Sequence, residues 1–283
     1  MTTFSRRIKQ CVIAIVYITL FSALSVAVYY LFIKAPETCF DGKKNQNEEE
    51  TDCGGVCTLA CQKVIIGEDI EIRETAFVVG GVDRFDVLAK IYNPNDEIGA
   101  AFFTYVAELR GNDGVVLGTY KGQSFILPQE TKYLVALNIE TGQVPVSAVV
   151  RIENIEWAHF SGYQEKPRIN IYQKRYSQIS SGVGFGEAYG LLANESPYDF
   201  RAIIVKVILR DAFGKPLAFN TTEMRTVTSR EERDFRLVWP TAFPGDVANV
   251  EMEVDADVYH SDNFTEQYLP GGRFQELAPS KTY

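Results

Sequence analysis

Histidine is almost missing from this chain: His159 and His260 are the only two in 283 residues. There is also no G-x-S-x-G run, so a serine hydrolase of the nucleophile-elbow kind lacks its defining turn. Cysteine stops at position 61, which removes the Cys…Trp…Cys staple of antibody-type domains. Positive charge is short, with 28 Lys and Arg against 37 Asp and Glu, for a net charge of -9. Residues 1–38 carry +3, so the remainder carries -12. Such a surface disfavours nucleic acid, whose phosphates need a basic face, and a polybasic grip on anionic lipid. No long low-complexity linker interrupts the chain.

Long hydrophobic runs are limited to one. Cys11 to Ile33 holds no charge over 23 residues. As a helix it would reach roughly 34 Å, enough for a hydrocarbon core of about 30 Å. Arg6, Arg7 and Lys9 precede it and Lys34 follows. The positive-inside rule then predicts a cytoplasmic N-terminus (1–10), a span (11–33) and an extracytoplasmic bulk. A cleaved signal peptide is the rival, with Ser25-Val26-Ala27 as its small-x-small site, but the run is long for a signal core. Both readings export the bulk of the chain. Cys11 reads as apolar filler rather than a lipidation site.

Four of the five cysteines crowd into residues 34–63, as Cys39, Cys53, Cys57 and Cys61. Outside the cytoplasm they predict two disulfides, and three pairings are open. The segment has little to bury, so cross-links would replace a core. Asp41, Asn45, Asn47, Glu48 and Asp52 add hard oxygens within twelve residues, and Gly42, Gly54 and Gly55 allow tight turns. That donor set suits Ca²⁺; zinc would need the same thiols reduced. The pattern C-x-DG-x-x-N-x-NE followed by DCGG-x-C-x-x-x-C resembles a short repeat of bacterial surface proteins. The resemblance implies a disulfide-stapled, calcium-loop-like element. Gln46 replaces the repeat's usual Gly, Asn47 its usual Asp, and Cys57 to Cys61 is one residue longer.

From Val64 onward, short alternating runs broken by turn residues predict strands. They recur about 100 residues apart. Asn93-Pro94-Asn95-Asp96 matches Asn194-Glu195-Ser196-Pro197. Phe103, Tyr105, Ala107 and Leu109 match Ile203, Val205, Val207 and Leu209. The turns at Asn112-Asp113-Gly114 and Ala212-Phe213-Gly214 follow, then Leu117 and Leu217. Tyr133, Val135 and Leu137 align with Phe235, Leu237 and Trp239, and the two histidines fall at matching strand ends. The fold class expected is mainly β: a transmembrane helix, a short disulfide-rich segment and two tandem Ig-like β-sandwiches of seven or so strands, at 64–160 and 161–262, with a loop-like tail at 263–283. The order of strand, Asn turn, long strand and Asp/Asn-x-Gly turn resembles the FxLYD family of extracytoplasmic β-sandwiches. Repeat two keeps its aspartate, Asp211, where repeat one has Gly111. The family implies an Ig-like fold and no catalytic residues.

Other motifs have plain readings. Gly182-x-Gly184-x-Gly186 lacks the Lys-Ser/Thr ending of a phosphate loop and reads as a turn into a strand. Arg168, Lys174 and Arg175 lie on the expected first strand of repeat two, with an interdomain contact as the alternative. Glu251, Glu253, Asp255 and Asp257 alternate with apolar residues and so share one strand face. A solvated face that discourages edge pairing is the expectation, with cation binding as the sharper alternative. Asn194, Asn220 and Asn263 fit glycosylation acceptors, idle if the source is bacterial. Gly271-Gly272 suggests a flexible turn.

The sequence predicts a membrane-anchored extracytoplasmic binding, adhesion or envelope-scaffold protein without catalysis, with a protein or envelope component as partner. A docking subunit of a membrane or secretion assembly is the alternative, and an extracytoplasmic hydrolase a distant third.

Overall fold

The computed structural model describes residues 2–30, 39–45, 47–58, 65–160, 162–163 and 165–268, with side chains from Ile8 onward. The chain divides into two compact units, residues 1–64 and 65–283.

In the first unit, helix α1 runs from Thr2 to Val28. Ile8–Val28 is long and apolar enough to cross a membrane, and its side chains are exposed. The hydroxyls of Thr19 and Ser25 donate to Val16 O and Phe21 O, at 2.9 and 2.8 Å. Each donor is thus satisfied inside the helix, as a hydrocarbon surround demands. Residues 31–33 of the expected span lie outside the described residues, as do Cys61 and Gly271-Gly272.

Among its described residues, the second unit is built from twelve antiparallel strands in two sets of six. The first set is β1 (Glu71–Gly81), β2 (Arg84–Tyr92), β3 (Ile98–Arg110), β4 (Val116–Ile126), β5 (Thr131–Glu140) and β6 (Ser147–His159). The second is β7 (Ile169–Gln178), β8 (Gly186–Asn194), β9 (Phe200–Arg210), β10 (Pro216–Val227), β11 (Glu232–Trp239) and β12 (Asn249–Ala256). The first set forms sheets ordered β1-β2-β5 and β4-β3-β6, the second β7-β8-β11 and β10-β9-β12. The two sandwiches therefore share one topology, with six long strands rather than seven short ones. β7 is the strand expected to open repeat two.

Register corrects one alignment. Val87 faces Ala136 in β2–β5, while Ala188 faces Leu237 in β8–β11. Ala136 and Leu134, not Val135 and Tyr133, are thus the equivalents of Leu237 and Phe235. A slip of one residue exchanges the two faces of a strand. Tyr133 accordingly points away from its own core and packs with Val78, Leu88, Ile208 and Phe219.

That small cluster joins the sandwiches. Sheet β1-β2-β5 packs on β4-β3-β6 through Val87, Ile91, Phe103 and Leu134. Its other face meets β10-β9-β12 through Ile208 and Phe219. The latter sheet packs in turn on β7-β8-β11. The result is four sheet layers. Strand β9 is buried on both faces: Ile203, Val205, Val207 and Leu209 enter the second core, while Lys206, Ile208 and Arg210 enter the layer between sandwiches. Each of those aliphatic side chains stabilises the fold by about 1.5–3 kcal/mol of transfer free energy.

The expected loop after Asp262 is instead helix α2, Asp262–Tyr268. Ser261 O accepts from the N–H groups of Phe264 and Thr265 and opens the turn. Phe264 and Tyr268, four residues apart, fall on one helix face. Phe264 is wholly buried against Phe160, Tyr198 and Tyr268. Polar Asp262, Asn263 and Glu266 mask this short apolar pair in the sequence.

Candidate binding surfaces

In the cysteine-rich segment, Cys39 is disulfide-bonded to Cys57, and Cys53 is also disulfide-bonded. Cys11 is a free cysteine on α1. The loop's acids organise its own backbone. Asp52 Oδ1 accepts from Asp41 N at 2.9 Å, and its Oδ2 accepts from Gly42 N at 2.9 Å. Glu48 Oε2 accepts from Asn45 N at 3.0 Å and Asp52 N at 3.2 Å. Asp41 accepts from Lys43 N and from Asn45 Nδ2. Asn47 and Asp52 take positive φ, as do Gly54 and Gly55. A side chain at Gly55 would strike Asn47 O at 1.9 Å, which explains the glycine.

Among the described residues, one acid-and-cysteine trio brings its ligand atoms within 4.8 Å of one another: Cys39, Glu48 and Cys57. Two of these share a disulfide and have no thiolate to offer. Asn45 Oδ1 is buried with no hydrogen-bond partner, so a cation has one open oxygen here.

The carboxylate row on β12 lies elsewhere than the sequence suggests. Glu251, Glu253 and Asp255 form no solvated face; they meet β5 and β9 between the sandwiches. Asp255 Oδ1 is 2.6 Å from Lys132 Nζ and its Oδ2 is 2.7 Å from Lys206 Nζ. Lys206 also reaches Glu253 at 3.2 Å and donates to Tyr133 O. Lys132 donates to Phe125 O at 2.8 Å. Arg210 binds Glu74 across the layer at 2.9 Å, and its Nε lies 3.0 Å from Glu251. Tyr133 donates its hydroxyl to Glu251 and its N–H to Glu253. Asp257 stands apart, with His260.

The electrostatics follow from this packing. Burial would raise the Asp255 carboxyl, but Lys132 and Lys206 outweigh it and hold it far below the usual carboxylate range. Burial would lower Lys206, but Asp255 and Glu253 outweigh it and hold the ammonium above the usual lysine range. Burial dominates at Lys132, pulling it down despite Asp255. Burial likewise raises Glu253 against the pull of Lys206. This seam is an ionic lock with most of its hydrogen bonds made, and Tyr133, Glu251 and Glu253 at its edge line an open space of 440 Å³.

A cleft of 730 Å³ opens at the other end of β5, between the β1–β2 turn, the end of β5 and the residues after β11. Behind it a space of 120 Å³ reaches Asp86, Leu137 and Trp239. Thr241 donates its hydroxyl to Gly80 O across the cleft.

The histidines are not brought together. His159 ends β6 with Nε2 3.2 Å from Glu97. His260 lies past β12 in a 3-10 turn, Val258–His260, and contacts Asp257 at 2.6 Å. They do not occupy matching strand ends. The Gly182–Gly186 run is the turn into β8, as expected. Asn194 is buried and holds two carbonyls, which denies it to a glycosyl donor. The sequence missed Asp86, Lys132 and Lys206. Lone charges in otherwise apolar strands were the one signal available.

No family model matches this chain, and no curated protein matches it. Among solved structures, it is similar to a red sea bream transglutaminase at 12% identity and a TM-score of 0.19. The match covers 65% of this chain and 29% of the transglutaminase chain.

Proposed function

We propose that this is a membrane-anchored, extracytoplasmic binding protein whose two sandwiches act as one docking body. In this reading α1 anchors the chain with its N-terminus in the cytoplasm. The sandwiches face the outside and serve adhesion, envelope scaffolding or assembly rather than catalysis. The observation that carries it is the seam: Asp255 pairs with Lys132 and Lys206 at 2.6 and 2.7 Å in the layer between the sandwiches. The Cys39–Cys57 disulfide supports an oxidising compartment. The resemblance to FxLYD repeats is consistent with two sandwiches of one topology.

Fixed spacing between two sandwiches favours a subunit that docks within a larger membrane assembly over a flexible adhesin. In-cell cross-linking of the full chain, followed by identification of the captured proteins, is the test. Partners in the same membrane support the docking subunit, and external ligands support adhesion. Capture of nothing, with unchanged envelope architecture and cell contacts on deletion, overturns both. Turnover of a hydrolase substrate that is lost on substituting His159 or His260 would replace them with an enzyme.

A further inference from the structure

Asp86 is a buried acid of the second unit that the seam does not use and, unlike Glu108 and Glu130, it has no ion-pair partner among the described residues. It is 7% exposed, on β2, and faces the space behind the cleft. Among the described residues, its carboxylate accepts one hydrogen bond, from Asn138 N, 2.7 Å from Oδ1. Both neighbouring strands break register beside it. β1 shifts between Val79 and Gly81, and β5 shifts opposite Phe85 and Val87. Asn138 takes φ 60 in that second irregularity, which turns its N–H onto the carboxylate. At Gly80 a side chain would meet Asp86 Oδ1 at 2.5 Å, so only glycine leaves the carboxylate its place. Bulges re-aim side chains, and two flank this one.

The duplicated topology supplies an internal control. In sandwich two the equivalent of Asp86 is Glu187, and it is ion-paired with Arg236 on β11. The equivalent of Arg236 in sandwich one is Val135, from the registers Val135–Leu88 and Arg236–Tyr189. The acid is kept and its cation is gone. A buried carboxylate with neither cation nor a full set of hydrogen bonds is unfavourable unless something supplies one. Burial duly raises the Asp86 carboxyl, opposed by the Asn138 N–H. The one cation lining the cleft, Arg84, is 2.8 Å from Glu140. With Asp83 at the mouth, the lining is net negative and draws cations. Leu137, Phe219 and Trp239 wall the inner space and suit a methylene stem or a cation over a ring.

We propose that the cleft between the sandwiches binds a primary ammonium or guanidinium group, seated on Asp86 with its aliphatic stem along Leu137 and Trp239. The group comes either from a lysine or arginine side chain of a partner protein or from a free amine. This rests on the binding reading above, but it can fail alone: an empty cleft leaves the cross-linking outcome untouched.

The test follows the Asn138 backbone amide resonance of the full chain in detergent micelles. The probes are Nα-acetyl-lysine methylamide, Nα-acetyl-arginine methylamide, n-butylamine and the uncharged Nα-acetyl-norleucine methylamide. A saturable shift is expected with a cationic probe and at least tenfold weaker binding with the norleucine probe. Asp86→Asn should weaken the cation at least tenfold. Gly142→Trp, at a cleft position with nothing within 4 Å, should weaken it without changing Tm and decides the matter if Asp86→Asn does not fold. Tighter binding of the capped amino acids than of n-butylamine assigns a protein side chain; equal binding assigns a free amine. No saturable shift with any cation, an equal shift with the norleucine probe, or unaltered binding in the variants overturns the proposal.

Discussion

Asn93 and Asn194 show how single residues set the turns of both sandwiches. Asn93 Nδ2 donates to Ile98 O and Leu127 O, while its Oδ1 accepts from Asn95 N. Asn194 does the same with Tyr198 O, Thr228 O and Ser196 N. Both are buried, so each amide ties three chain segments where water cannot substitute. Asn93→Ala should cost about 2–4 kcal/mol, because it strands buried carbonyls. Asn93→Asp should cost no less, since a carboxylate cannot donate to either carbonyl. Denaturant midpoints at constant m-value are the measurement. Asp86 carries the opposite sign. Its carboxyl is raised on folding, so stability falls as pH rises from about 3.9, the unfolded value, through the folded pKa, and stays lower above it. Asp86→Asn removes that loss. In the absence of ligand the variant should melt higher than wild type at pH 7, and the two should converge below about pH 4.

The elements differ in how openly the sequence announces them. The strands of both repeats were legible because β3 and β9 alternate cleanly and the Asn turns recur. The helix α2 was not, because seven residues with one buried aromatic, Phe264, resemble a polar loop. Phe264→Ala should destabilise sandwich two by about 3–5 kcal/mol, as a cavity in its core. An unchanged thermal melt would make α2 an appendage. Face assignment was the harder problem. Glu251, Glu253 and Asp255 alternate as a solvated edge would, and nothing local distinguishes the two cases. Their partner Lys132 is 123 residues from Asp255, and Lys206 is 49 away. In the stapled loop the donors were legible but their use was not, since Asp52 caps the N–H groups of Asp41 and Gly42. Asp52→Ala should speed exchange of those two amides by about tenfold, the equivalent of roughly 1.4 kcal/mol. The effect should be the same in calcium and in chelator; protection by calcium of the wild type alone would instead establish a calcium loop.

At the scale of the molecule, the seam decides whether residues 65–268 act as one body or two. A buried ion pair is weak support for stability, because desolvation offsets its attraction, yet removing one partner is costly. Asp255→Asn leaves Lys132 and Lys206 buried around a neutral amide and should cost about 3–5 kcal/mol. The wild type should unfold in one calorimetric transition for the sandwich pair, and the variant in two. Acid should not mimic the variant. Asp255 is held low, so its contribution is present above about pH 3.9 and lost only as pH falls through its folded pKa. The single transition should therefore persist at pH 4. The triple variant Lys132→Met, Lys206→Met, Asp255→Leu separates the two roles of the seam. Its apolar replacements should recover the stability lost in Asp255→Asn, because they remove the desolvation cost along with the charges. If the sandwiches then still unfold together, Ile208 and Phe219 hold them and the ions fix only their angle. If they unfold apart, the charges themselves make the two sandwiches one docking body.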